Sequence, residues 1–253
     1  MFFSAGALDP SVLTLHLRTR SRLFAGRDEW DEAIVEKMVP VSRLALLLCD
    51  FWNDHWCAGA ARRVEAMAPA VEATISSARR QGIQIIHAPS DTMAFYEDSP
   101  FRLRIQAIPR LTPPEPLDLP DPPLPIDDSD GGCDSGEKPW HRAWTRQHPA
   151  ITIAGDDVIS DDGIEVYSLL GAKGIDTLLI AGVHTNMCVL KRSFAIKQMT
   201  RWGIHCVLVR DLTDTMYNPE RWPFVSHEAG TQLVVEYIER YWCPSILSAD
   251  LRL

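Results

Sequence analysis

One segment of this chain combines a nucleophilic side chain with local structure that could activate it. In Leu178–Val189, apolar residues run to Gly182, a polar turn follows, and Cys188 begins an amphipathic stretch. This pattern predicts a strand, a tight turn and a helix, with the cysteine in the first helical turn. Free N–H groups at a helix N-terminus favour a thiolate and can hold an oxyanion. Cys188 is therefore a candidate nucleophile with a lowered pKa, although burial as a packing residue is the common role of a free cysteine.

A carboxylate stands at the end of a second apolar segment. The run from Arg43 is almost continuously apolar until Asp50, which is typical of a parallel strand buried on both faces. Ligands of open parallel sheets bind beyond the carboxyl ends of the strands, where both Asp50 and Cys188 are predicted to lie. A helix cap or a loop hydrogen bond is the alternative role for Asp50.

The rest of the pattern predicts strands and helices in alternation. We expect strands near 13–17, 43–50, 83–88, 150–154, 177–182 and 205–210, and helices near 28–38, 60–80, 161–173, 188–202 and 228–242. This alternation implies right-handed crossovers and a three-layer α/β sandwich. Its mostly parallel sheet would have six strands flanked by helices. We expect one domain over residues 1–253, with an N-terminal extension at 1–40.

A long insertion separates the two halves of this pattern. Eleven of the eighteen prolines lie between residues 100 and 149, so no regular structure is expected there. Insertions of this length commonly form lids or interfaces, and we treat 99–149 as a flap. Within it, Lys138–Gln147 interleaves cations with Trp140 and Trp144. Such patches can bind single-stranded nucleic acid, but packing near a pocket or an interface is the better interpretation on an acidic chain.

Composition narrows the classes of partner and compartment. The 253 residues carry a formal net charge of −9, which disfavours nucleic acids and anionic membrane surfaces as partners. No apolar stretch is long enough to span a bilayer, and the first ten residues lack the pattern of a signal peptide. The six cysteines show neither CxxC pairs nor zinc-type spacing. We therefore expect reduced thiols in a cytoplasmic protein.

Two motifs resemble those of a known family. CDFWND at 49–54, followed by LLIAGVHTNMCVL at 178–190, resembles the isochorismatase-like cysteine hydrolases, which include nicotinamidases, N-carbamoylsarcosine amidases and isochorismatase. The resemblance covers about residues 44–214 and implies a Rossmann-like sandwich with the Asp50 and Cys188 strands adjacent. It also implies hydrolysis of a C–N bond in a small amide, ureide or carbamoyl compound through a thioester on Cys188, with Asp50 as the base. A cis Val183–His184 peptide would place the His184 and Cys188 amides in an oxyanion hole.

The chain departs from the family at the third catalytic position. The family has a lysine after the strand equated with 150–154, where this chain has Gly155, Asp156 and Asp157. Lys138 in the flap is the first candidate to replace it, and Arg146 is the second. An exposed lysine without a catalytic role is the alternative for Lys138.

The resemblance also raises the question of the pocket and of a metal. We expect Trp52, Asn53 and Thr185 to contact a small-molecule substrate in an aromatic-walled pocket. Trp56, Trp140 and Trp144 are further candidates for the wall of this pocket. No cofactor is expected to be required, but a divalent metal on Asp54, His55 and His87 is left open. The resemblance also implies that the protein forms a homo-oligomer.

Two other functions remain open. The first is a hydrolase without a covalent intermediate, as isochorismatase is, with Asp50 as general acid. The second is a non-catalytic relative that binds a ligand or partner chain, suggested by the missing lysine. Loss of turnover in Cys188→Ala would separate the covalent mechanism from both.

Overall fold

An eight-stranded sheet forms the centre of the computed structural model, which describes residues 11–24, 26–27, 29–138 and 142–252. Its strands are β1 (Val12–Arg22), β2 (Trp30–Pro40), β3 (Leu44–Cys49), β4 (Gln84–Ala88), β5 (Val158–Ile159), β6 (Thr177–Val183), β7 (His205–Asp214) and β8 (Ser245–Ile246). The spatial order is β2-β1-β8-β7-β6-β3-β4-β5. The six strands from β8 to β5 are parallel, and β1 and β2 add an antiparallel hairpin at one edge. The predicted α/β class and parallel sheet are confirmed, with two more strands than expected.

Helices cover both faces of the sheet and complete the three layers. They are α1 (Ala58–Arg80), α2 (Pro100–Gln106), α3 (Gly163–Lys173), α4 (Cys188–Lys191), α5 (Ile196–Arg201) and α6 (His227–Tyr241). The apolar face of α1 packs on one side of the sheet in a cluster that includes Val64, Val71 and Ile75. Residues of α3, α5 and α6 build a second core cluster on the other side.

The two central strands are apolar because they have no exposed face. Every residue of β3, LALLLC, and of β6, TLLIAGV, is buried. The strands run parallel, and their register pairs Cys49 with Gly182. The chain therefore leaves both strands at the same edge of the sheet, which brings the segment after Cys49 beside the segment after Val183.

Three predicted elements are wrong. The segment 28–38 was expected to be a helix, but its described part lies in β2, which pairs with β1 over eleven residues. The β-branched Ile34 and Val35 suit a strand, and cross-strand pairing overrides the helical pattern. Residues 150–154 form no strand; β5 lies further along the chain and pairs with β4. The single helix expected over 188–202 is interrupted between α4 and α5.

The flap follows its predicted irregular path with one exception. Its first residues form α2, which begins at Pro100, where a proline is tolerated because the first helical N–H has no partner in any case. No helix or strand occurs in the described residues between 107 and 146. Trp140 lies outside the described residues.

A covalent link joins the flap to the body of the domain. Cys57, which precedes α1, forms a disulfide with Cys133 of the flap, with 5.7 Å between their Cα atoms. The expectation that all six cysteines are reduced is therefore wrong for this pair, because a separation of 76 residues gives no sign of pairing in the sequence. Cys49, Cys188, Cys206 and Cys243 are free. Among the described residues, no helix has the length and hydrophobicity needed to cross a bilayer.

Candidate active site

Asp50 and Cys188 meet at the edge where β3 and β6 end. The Asp50 side chain is completely buried, Cys188 is partly exposed, and the two groups are close enough for each to shift the pKa of the other. Gly182 permits this approach, because a Cβ there would lie 2.1 Å from the carbonyl oxygen of Cys49. Close contact between the two strand backbones thus places the carboxylate and the sulfur together.

The turn after β6 presents backbone amides to the sulfur. The Val183–His184 peptide is cis, as the resemblance implies. The His184 backbone N–H is near enough to the Cys188 sulfur to favour its thiolate form. Cys188 is the first residue of α4, so its own N–H has no partner within that helix. The geometry is compatible with the predicted oxyanion hole of His184 and Cys188.

Burial dominates the protonation of this pair. Removal from water raises the pKa of Asp50 to about 6, although the adjacent Arg192 guanidinium and the hydrogen bonds from Cys188 and Ser90 favour the ionised form. Burial also raises the pKa of the Cys188 thiol to about 12, and the Asp50 charge adds to this increase. The lowered pKa expected for Cys188 is therefore not found, because α4 has only four residues and the thiol faces a buried carboxylate. At neutral pH the site holds a thiol beside a carboxylate.

Arg192, which the sequence analysis overlooked, is the cation in contact with Asp50. Its Nε donates to Asp50 Oδ2 at 3.3 Å, and its Nη2 donates to Asp91 Oδ2 at 3.0 Å. The predicted cation, Lys138, is exposed, and no described contact joins it to Asp50 or Cys188. Arg146 stacks on Phe95 instead, with its guanidinium 5.5 Å from the ring centre. The replacement of the family lysine by Lys138 is thus not supported by the structure.

The strand that borders β4 also corrects the position at which the family lysine was sought. The residue after β5 is Ser160, and not one of residues 155–157. Its Oγ donates to Glu165 at 2.5 Å, and Glu165 is paired with the buried Arg102. This position therefore holds a neutral hydroxyl and no cation.

A cavity of about 520 Å³ opens from Asp50 and His184 towards the N-terminal part of α1. Its wall includes Trp52, which stacks on Trp144 of the flap with 4.1 Å between ring centres. His55 stacks on the same Trp144 at 5.5 Å. The expected aromatic wall is present, and this end of the flap packs against it. Cys188 does not line this cavity; it lines a more open depression of about 390 Å³ together with Asp128, Met187, Lys191 and Arg192.

Two of the imidazoles that line the cavity, those of His55 and His184, are neutral at physiological pH. Burial lowers the pKa of His55 to about 4 and that of His184 to about 3. The Nδ1 of His55 accepts a hydrogen bond from the Cys57 amide at 3.1 Å, so its Nε2 carries the proton. The Nε2 of His184 is buried and has no hydrogen-bond partner among the described residues. It is a polar atom in the cavity wall that a ligand could satisfy.

The three predicted pocket residues have different environments. Trp52 lines the cavity, and its Nε1 donates to the Ser90 carbonyl oxygen at 3.0 Å. Asn53 also lines the cavity, but its Oδ1 accepts from the flap amides of Thr145 and Arg146. Thr185 is fully buried, lies outside both linings, and its Oγ1 is hydrogen-bonded to Thr213 Oγ1 at 2.7 Å. Thr185 thus fixes the turn after β6 and does not contact the cavity.

The residues considered for a metal do not converge. Both ring nitrogens of the buried His87 are occupied, by Gln147 at 2.8 Å and by Asp157 at 2.9 Å. Asp54 is exposed and accepts from the His55 amide. In the described part of the chain, metal-ligand atoms cluster at Cys57, Cys133 and Asp134. There the sulfurs are joined as the disulfide and Asp134 is paired with Arg63, so this set does not fit a metal either.

Comparisons with solved structures agree with the fold. The chain is similar to a cysteine hydrolase from Pseudomonas syringae pv. phaseolicola 1448A, with 15% identity, a TM-score of 0.53, and coverage of 84% of this chain and 92% of that one. It is similar to an isochorismatase from Pseudomonas putida KT2440, with 14% identity, a TM-score of 0.50, and 83% and 91% coverage. An isochorismatase family protein from Desulfovibrio vulgaris matches at 16% identity, a TM-score of 0.50, and 83% and 96% coverage.

These similarities are structural and do not extend to the level of sequence. No model of a protein family matches the chain, and no curated protein matches it. The chain therefore has the fold that the isochorismatase-like resemblance implies.

Proposed function

We propose that this protein is a cysteine-dependent hydrolase that cleaves a C–N bond in a small amide, ureide or carbamoyl compound. The supporting observation is the proximity of the partly exposed Cys188 thiol and the fully buried Asp50 carboxylate, each of which shifts the pKa of the other. A nucleophile in contact with a base is the arrangement that covalent catalysis requires. A buried packing cysteine would have no need of a buried carboxylate, which is costly to remove from water.

The proton must move during attack, because the thiol is protonated at neutral pH. As the sulfur attacks the carbonyl carbon, Asp50 takes the thiol proton, and the amides of His184 and Cys188 receive the oxyanion. Asp50 then donates that proton to the leaving nitrogen, and a thioester remains on Cys188. Water attacks the thioester with Asp50 as base, the acid product leaves, and the proton returns to the sulfur.

The cavity indicates the kind of substrate. Its lining combines Trp52 and the neutral imidazoles of His55 and His184 with Arg62 and Glu65 of α1, so an uncharged group can pack on the rings while a polar group faces α1. The proposal includes no metal, since Asp54, His55 and His87 do not form a ligand set. Turnover by protein dialysed against a chelator tests this part of the proposal.

Replacement of the nucleophile is the direct test of the mechanism. We expect Cys188→Ala to abolish turnover of any amide that the wild type hydrolyses from a panel of amides, ureides and carbamoyl compounds. Cys206→Ala is the matched control, because Cys206 is a free cysteine buried in the core. Mass spectrometry of wild type quenched during turnover should show an acyl group on Cys188. Full activity of Cys188→Ala would contradict the covalent mechanism.

A second mechanism is favoured by one observation. With a pKa of about 6, a substantial fraction of Asp50 is protonated in weakly acidic solution, and the group could act as a general acid without help from the thiol. This is the non-covalent hydrolysis considered from the sequence. In that case Cys188→Ala would retain activity on a vinyl ether substrate, whereas Asp50→Asn would lose it.

A further inference from the structure

We propose that Arg192 is the positioning residue that keeps Asp50 ionised and aimed at Cys188, so that the reactive centre of this chain is an Asp50–Cys188–Arg192 cluster. This inference rests on the proposed function and deepens it. Nothing in the motifs around Asp50 or Cys188 assigns a role to Arg192.

Two hydrogen-bond donors hold the Asp50 carboxylate. Its Oδ1 accepts from the Ser90 backbone N–H at 2.7 Å, and its Oδ2 accepts from Arg192 Nε at 3.3 Å. The Cys188 thiol is the third group that acts on this carboxylate. A fully buried carboxylate needs such partners, because an unpaired buried charge is strongly disfavoured. The two fixed donors therefore hold the carboxylate in place while it exchanges a proton with the sulfur.

The backbone around Arg192 is arranged to direct its side chain to this point. The chain leaves α4 at Arg192, which has an extended conformation with φ −61° and ψ 152°. The next residue, Ser193, accepts a hydrogen bond through its Oγ from the Gly163 amide at the start of α3. At its far end, the guanidinium is held by the exposed Asp91. Arg192 is thus fixed at its backbone and at its tip.

The other titratable groups near the pair do not provide this charge. The buried Cys49 lies close to both Asp50 and Cys188, and its pKa is raised, so it is neutral. His184 is neutral as well. Asp91 binds the far end of the Arg192 guanidinium. Lys191 and Asp128 line the outer depression with Cys188 and are of opposite sign. Arg192 is the cation that hydrogen-bonds to Asp50.

The identity of this residue has a chemical consequence. Arginine keeps its proton at all accessible pH values, whereas a buried lysine can lose one. Arg192 can therefore stabilise negative charge on Asp50, but it cannot donate a proton to a leaving group. The proton taken from Cys188 has to be carried by Asp50 alone, so the pH dependence of the site should follow this carboxyl group.

The experiment measures the rate of Cys188 alkylation by iodoacetamide against pH, with peptide mass spectrometry to identify the labelled cysteine. No substrate is needed. In wild type we expect the rate to rise with a midpoint near the Asp50 pKa of about 6. Arg192→Gln removes the favourable charge and should move this midpoint upward by about 1 to 3 pH units, which lowers the rate at pH 6 by about fivefold or more. Arg192→Lys should bring the midpoint most of the way back to the wild-type value.

Lys138→Gln is the matched control, because it removes one positive charge from an exposed site without a contact to Asp50. An unchanged midpoint in Arg192→Gln, or an equal shift in Lys138→Gln, would overturn the role of Arg192 and leave the proposed function standing. If Cys188 of the wild type is not alkylated in preference to the other free cysteines, the proposed function itself fails.

The test remains decisive if Arg192→Gln does not fold. Asp91→Asn removes the second carboxylate held by the guanidinium, at an exposed position with φ +63° that asparagine tolerates. With Arg192 released to Asp50 alone, we expect the midpoint to fall. A midpoint that stays unchanged or rises in Asp91→Asn would overturn the proposal.

Discussion

Asp50 occupies an unusual backbone conformation as well as a buried position. Its φ of 55° lies in the left-handed region, which a residue other than glycine adopts at a cost of about 1 to 3 kcal/mol. Its N–H donates to the Ala88 carbonyl oxygen of β4, and its carbonyl oxygen accepts from the Trp52 amide. These bonds turn the chain sharply at the end of β3. The turn directs the carboxyl group towards β6, and thus towards Cys188, and Trp52 towards the cavity.

Gly182 is the residue whose size most directly limits this geometry. We expect Gly182→Ala to lower the free energy of unfolding by about 3 kcal/mol or more, because the new Cβ would clash with the β3 backbone at a φ of 147°. Any folded fraction should also show slower alkylation of Cys188, since the strands would separate at the site. Chemical denaturation and iodoacetamide labelling measure the two effects.

Gly203→Ala is the control for backbone strain alone. Gly203 has a φ of 83°, and a Cβ there would meet no atom within 4 Å. Its replacement should cost only about 1 to 2 kcal/mol and leave Cys188 labelling unchanged. Equal losses in the two variants would show that the close approach of β3 and β6 at Gly182 has no special importance.

At the scale of elements, the flap and the loop after β3 form one wall of the cavity. The loop contributes Trp52 and His55, and the flap contributes Trp144, which stacks on both rings. A bridge between Trp52 and Gln147 and the hydrogen bond from the Asn53 amide to the Arg146 carbonyl oxygen continue this contact along the backbone. The aromatic wall therefore depends on the flap remaining docked.

Asn53 provides a test of that docking. Asn53→Ala removes the acceptor of the Thr145 and Arg146 amides, so we expect faster hydrogen exchange at these two amides. Asn53→Asp keeps an acceptor oxygen and should retain most of the protection. If exchange in Asn53→Ala is the same as in wild type, the Asn53 side chain does not hold the flap.

At the scale of the whole molecule, the Cys57–Cys133 disulfide connects the two loops that border the site. It is buried in a small cluster with Ala60 and Met216, and Met187, which precedes the candidate nucleophile, packs against it. Asp134, next to Cys133, is paired with Arg63 of α1. The link therefore secures the flap on the Cys188 side of the site, as Asn53 does on the cavity side.

Reduction of this disulfide should destabilise the protein. It closes a loop with a sequence separation of 76, for which the chain-entropy argument gives about 4 kcal/mol. We expect a reductant to lower the melting temperature of the wild type but not that of the Cys57→Ser/Cys133→Ser variant. An equal fall in the melting temperature of the two proteins would show that the reductant does not act through the Cys57–Cys133 disulfide.

The sequence by itself determined the parallel α/β core and the two reactive residues. Long apolar runs such as β3 and β6 are typical of strands at the centre of a parallel sheet. The polar residues that follow such strands lie together at one edge of the sheet. For the same reason, the helices α1, α3 and α6 lie within a few residues of their predicted bounds. These features depend on local patterns that repeat along the chain.

Only the tertiary structure decided which distant groups meet. The pairing that made 30–40 a strand, the contact of Arg192 with Asp50, and the disulfide all join residues whose distance in space is independent of their separation in sequence. Arg192 had a local signal, since the helix predicted over 188–202 would place it four residues after Cys188 and on the same face. The local pattern does not show that Asp50 is buried, and it is this burial that requires a neighbouring cation. The cost of a buried charge depends on the whole surrounding fold.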